Sequence, residues 1–195
     1  MPLLSPAAIA GAVRHMRPFT GRIVHRQLPA QSPADLWTPT PHARRWNLGF
    51  PALYTSLLLN VAFAERIKRT LARPTHLLVG VATAHITRVV DFGLAEVQQT
   101  LSVSIEALTT EDYTLTRQLG AALFQAGVTG LLVPAAIAET ARRYPTFRFT
   151  RDGHSEVCPT PTSGTNLVIF TNNLRRGDAY PETARFFCEV VGIPA

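Results

Sequence analysis

The chain has 195 residues, of which 46% are hydrophobic and 16% charged, with a formal net charge of +6. That suits one domain with a real core and excludes wholesale disorder. No apolar run reaches the roughly 18 residues of a membrane span, because the stretch 52–64 is interrupted by Tyr54, Thr55, Ser56 and Asn60.

Taken in chain order, residues 1–20 read as a partly helical arm closed by Pro18 and Gly21, and residues 21–195 as the domain proper. The arm has no basic segment ahead of its apolar part, which argues against a secretory signal. A strand over 22–28 leads into a Pro-rich loop, 29–41, that holds Trp37. After a turn at Arg45–Gly49 comes a short strand at 52–54. Ser56 then reads as the cap of a helix running to about Arg73, where Pro74 stops it. The runs 76–83 and 87–92 are apolar and β-branched, as strands prefer. Residues 112–126 predict a helix ended by Gly127, and 130–134 and 165–170 predict two buried strands. Between those strands, 138–162 is polar, rich in Thr, Arg and Pro, and reads as a surface excursion. A last helix is expected over 181–190, with Pro181 in its first turn. Short strands and interspersed helices without a βαβ rhythm predict an α+β domain, small mixed sheets with flanking helices.

All 19 basic residues except Lys68 are arginine, and they are scattered. Without a basic stripe interleaved with aromatics, compositional bias explains them better than direct nucleic-acid binding. A phosphate-bearing small molecule fits as well, since arginine grips phosphate oxygens in bidentate fashion. Cys158 and Cys188 are too few for a disulfide framework and form no zinc pair, so a reduced cytoplasmic compartment is expected, with no membrane contact. The six histidines show no ligand spacing, no metal site is expected, and His85 reads as a satisfied core histidine. Phosphate-loop, zinc-protease and nucleophile-elbow motifs are absent.

Glu65 is the carboxylate of interest. On a helix it shares a face with Leu58, Val61 and Ala62, so it lies beside the stripe that enters the core. A carboxylate there is costly unless partnered, which marks it as a functional candidate. The plainer alternative is an i,i+4 pair with Arg69 at the polar end of an amphipathic helix. From periodicity alone the plainer alternative is favoured.

The order of these features is more specific than any one of them. Arg26 is followed by Arg45-Trp46-Asn47-Leu48-Gly49, then Tyr54-Thr55-Ser56, then Ala62 and Glu65. Later come Gln118-Leu119-Gly120, Gly127, Gly130 to Pro134, and Asn166 to Phe170. From Arg22 to Phe170 the chain resembles the RES domain family, named for an arginine, a glutamate and a serine. The resemblance implies a fold like that of ADP-ribosyltransferase domains and a role as the toxin of a toxin–antitoxin pair. It implies NAD+ as substrate, cleaved at the nicotinamide–ribose bond by a phosphorylase or a glycohydrolase, with inorganic phosphate as co-substrate of the first. ADP-ribosyl transfer to a protein is the second activity known in the family. The implied partner is an Xre-like antitoxin in a hetero-oligomer, with the antitoxin carrying the DNA contact. By the same resemblance Arg26, Glu65 and Tyr54 are the catalytic residues, with Arg22 the runner-up arginine. Arg45, Asn47, Ser56 and Ala135 bind the dinucleotide. The sequence departs from the family at Arg44, where glycine is usual, at His25, where an aromatic is common, and at Ala135, which follows Pro134 where the family has its serine. Ser163 and Thr165 are the hydroxyls that could stand in. A catalytically decayed domain that only binds a partner is therefore the third reading.

Overall fold

The computed structural model describes residues 4–27, 37–67, 76–136, 146–149, 155–158, 164–180 and 187–191. Its spine is a pair of long strands. β1 (Arg17–Gln27) runs antiparallel to β3 (His76–Asp91), from Arg17 opposite Val89 to Gln27 opposite Leu78, with one irregularity between Arg17 and Phe19. On its other edge β1 meets β2 (Leu53–Ser56), with Val24 opposite Ser56. β2 pairs with β7 (Thr165–Ile169), β7 with β4 (Gly130–Pro134), and β4 lies parallel to the end of β3. The order β1-β2-β7-β4-β3 thus returns to β1 and closes a ring of five strands.

Closure gives the sheet an inside and an outside. Alternation along the strands sends Ile23, Leu53, Ile86, Val89, Leu167 and Ile169 into one cluster with Trp37, which fills the interior. The opposite face carries Val90, Leu131, Val133 and Val168 into a second cluster covered by helices. Those helices are α1 (Pro6–Arg14), α3 (Ala95–Leu101), α4 (Ile105–Thr109) and α5 (Thr114–Gln125), which contribute Ile9, Val97, Leu108 and Leu119. α2 (Leu59–Ile67) packs on β1 and β2. No helix among the described residues is long and apolar enough to cross a membrane.

Several expectations change. The N-terminal arm is a helix docked on the core, capped by Ser5, whose hydroxyl accepts the Ala8 N–H at 3.1 Å, and residues 17–20 already belong to β1. Ser56 ends β2 instead of capping the next helix. The two runs at 76–83 and 87–92 are one strand, because β1 pairs across the junction at Ala84 and His85. His85 is half-buried, with its ring beside the Thr20 hydroxyl at 2.5 Å and its backbone bridged to Ala179. At the C-terminal end, Phe187–Val191 forms a strand, β8, antiparallel to the start of β3, where a helix was predicted. Phe187 and the β-branched pair Val190-Val191 suit a ladder on the open edge of β3 better than an isolated helical turn. The polar excursion contains a hairpin, β5 (Thr146–Phe149) with β6 (Ser155–Cys158). The rest of it lies outside the described residues.

α5 meets the 45–47 turn backbone to backbone at Gly120. A Cβ there would sit 2.0 Å from the Trp46 carbonyl oxygen, and no side-chain rotation relieves that contact. Gly120→Ala is expected to lose about 1–3 kcal/mol of stability; urea unfolding of the two proteins at equal slope measures it.

Candidate functional site

β2 carries Tyr54 and Ser56 on the same, outward face, and each anchors a different polar network. Tyr54 holds the turn before it. Its hydroxyl donates to Asn47 Oδ1 at 2.9 Å and accepts the Trp46 N–H at 2.8 Å. The Asn47 amide donates in turn to the carbonyls of His42 (3.1 Å) and Phe50 (2.7 Å), and the residue is 0% exposed. Arg45 donates through Nη1 to the carbonyls of Leu108 (3.2 Å) and Thr110 (2.5 Å), acceptors the end of α4 leaves without a helical partner. Its guanidinium lies 4.3 Å above the Tyr113 ring, and that of Arg117 lies 5.5 Å from the same ring. Arg117 also donates to the Arg44 carbonyl at 3.0 Å.

The resemblance assigned Asn47 and Arg45 to the dinucleotide. With both amide hydrogens donated, the oxygen engaged and no exposed surface, Asn47 knits the turn. Arg45 is buried and clamps the same turn to α4 and α5.

The second network lies one step further along the sheet. Val24, Ser56, Asn166 and Val133 follow one another across β1, β2, β7 and β4. The Ala135 N–H donates to the Gly164 carbonyl at 2.8 Å, which carries the β4–β7 ladder past Pro134. Ala135 and Gly164 therefore share a face with Asn166 and Ser56. A Cβ on Gly164 would come within 2.4 Å of Val61 Cγ2, so α2 lies directly over this face. Glu65 stands one turn beyond Val61.

Here the polar groups meet. Ser56 Oγ donates to Asn166 Oδ1 at 2.7 Å, and Asn166 Nδ2 donates to Glu65 Oε1 at 3.1 Å. Glu65 is 7% exposed and Ser56 1%. A carboxylate so enclosed needs a donor, and Asn166 is the one that supplies it among the described residues. The fold thus sets Ser56 and Ala135 on the face under α2, with Glu65 on α2 itself and Tyr54 two residues along the same face of β2. Arg26 is on β1, opposite Val79 and two residues beyond Val24. The side chain of Arg26, and the whole of Arg69 and Ser163, lie outside the described structure. Thr165 falls on the opposite face of β7 from Asn166, so it brings no hydroxyl to Ala135, and Arg22 is exposed. No three His, Cys, Asp or Glu side chains gather as a metal group among the described residues.

Asn166 was not among the expected site residues. Only the register betrays it: an amide at the head of an apolar strand means little until Ser56 is opposite it and a buried carboxylate above it.

A family model described as RES domain matches residues 15–186. No curated protein matches the chain in sequence. Among solved structures, the chain is similar to one from the crystal structure of the M. tuberculosis MbcT–MbcA toxin–antitoxin complex, with a TM-score of 0.64 at 15% identity, covering 96% of this chain and 94% of that one.

Removing the Tyr54 hydroxyl leaves the buried Trp46 N–H and the Asn47 oxygen without partners. Tyr54→Phe is expected to cost about 1–3 kcal/mol, read as a lower denaturation midpoint.

Proposed function

The chain belongs to the RES domain family, and from that premise we propose that it is a toxin that cleaves the nicotinamide–ribose bond of NAD+. The observation that carries the reading is the buried, amide-held carboxylate of Glu65, on the helix that covers the face holding Ser56 and Ala135.

The chemistry asks for such a group. As the C1′–N bond breaks, its electron pair leaves with nicotinamide and the ribose takes on oxocarbenium character. A fixed carboxylate stabilises that cation without having to reorganise, which is where most catalytic power at such sites arises. Water or inorganic phosphate then bonds to C1′. Water gives ADP-ribose and a proton; phosphate gives the phosphorylated sugar. We assign Arg26 to the pyrophosphate through paired N–H donors, and the Tyr54 ring to stacking on a base, since its hydroxyl is already engaged in the turn. Arg45 acts on substrate only by holding that turn. The partner in this reading is an antitoxin protein, which the likeness to a chain of a toxin–antitoxin complex supports; its Xre-like type is taken from the family resemblance alone.

One observation favours a second reading, a binding module that has lost its chemistry. The Ala135 methyl occupies the face beside Asn166 where the family serine would add a hydroxyl.

Purified protein is expected to release nicotinamide from NAD+, and comparison with and without phosphate identifies the acceptor. Glu65→Gln is expected to lower that rate about 100- to 1,000-fold with an unchanged melting curve. If the parent is inert and Ala135→Ser gains activity, the decayed reading replaces the catalytic one.

A further inference from the structure

The contact between α2 and the sheet is apolar at Val61 over Gly164 and polar one turn later, at Glu65. Packing alone would be served by a second aliphatic residue there. Instead the fold encloses a carboxylate and supplies it with a two-residue hydrogen-bonded chain. That chain has a direction. An asparagine amide presents an acceptor at one end and donors at the other, and rotating it by half a turn exchanges them. The Ser56 hydroxyl, donating to Oδ1, fixes the oxygen on its own side and so turns the NH2 toward Glu65 Oε1. Reversed, the amide would set an oxygen against the carboxylate. Ser56 and Asn166 are direct cross-strand partners, and Ser56 is almost wholly enclosed, so neither end of the chain has room to wander.

We infer that Asn166 is the positioning residue of Glu65, and that Ser56 sets its direction by acting through the amide. The inference rests on the NAD+-cleavage reading above. It makes Ser56 a residue that orients the site instead of one that touches the dinucleotide. The purpose of the chain is preorganisation: one carboxylate oxygen is pinned before substrate arrives.

The test is steady-state NAD+ consumption by the full chain, with thermal melts on every variant. Asn166→Ala is expected to lower kcat about 10- to 100-fold while KM stays within about twofold, since the pinned oxygen matters most as charge develops. Ser56→Ala should lower kcat less, and should add nothing in the Asn166→Ala background, where the chain is already cut. Asn166→Asp has the shape of the parent residue and carries the test if the alanine variant fails to fold. It keeps the acceptor for Ser56 and loses the donor for Glu65, so its activity should rise as pH falls and the introduced carboxyl regains a proton to donate. A residue that served packing alone would show no such pH response. The inference is overturned if the parent is active and Glu65→Gln inactive, while the folded Asn166 variants keep the parent's kcat and pH profile. A parent that releases no nicotinamide removes the functional reading itself, and this inference with it.

Discussion

The pairing of β1 with β3 is the constraint on which the molecule depends. Without it the remaining strands would form an open sheet with two exposed edges; with it, the hydrogen-bond ladder runs round to its own beginning. Closure decides which side chains point inward, because a strand that slipped by one residue would exchange its faces. Ile23, Leu53, Leu167 and Ile169 fill the inside, and the outside is left for helices. β2 has only four residues, yet it is held along both edges, by β1 and by β7. So short a strand can present two polar side chains on its outward face because its backbone is fixed from both sides.

Those two side chains divide the labour. Tyr54 reaches back into the turn at 45–47, where both polar atoms of the Asn47 side chain are engaged and Arg45 is tied to backbone carbonyls that arrive from α4. Ser56 reaches sideways to Asn166 and so to the carboxylate on α2. One network makes a rigid frame, and the other holds a group with chemical potential. That they hang from residues two apart on one strand ties the buried turn to the geometry around Glu65. A displaced turn moves β2, and β2 carries Ser56.

Much of this was legible in the residues, and the gaps have physical causes. The strands at 130–134 and 165–169 stand out as short apolar runs, and α5 is bounded by its turn residues and by Gly127 at a φ of 74°. α3 was missed because Leu94, at its cap, makes no side-chain bond to announce the start. α4 does carry such a signal, the Ser104 hydroxyl accepting from Ala107, but five residues are too few to show a period. The last strand was misread because its identity comes from the free edge of β3, which no local window contains. At the site, Glu65 was visible as an acid on an apolar helical face. Its partner was not, since Asn166 lies 101 positions away and only sheet register joins them. Arg45 was legible as part of a motif, while its partners come from the far side of α4.

The place of β7 in the ring carries a consequence for how the protein is made. It lies between β2 and β4, yet it follows both in the chain, and it pairs with each of them directly. A nascent chain leaving the ribosome therefore displays β2 and β4 with vacant edges until Thr165–Ile169 emerges. Only then can the barrel shut and Asn166 take its place beneath α2. Contacts between segments so distant form late and slowly. A network that needs Asn166 cannot assemble until β7 has emerged, which separates the synthesis of β2, α2 and β4 from the completion of the buried cluster around Glu65.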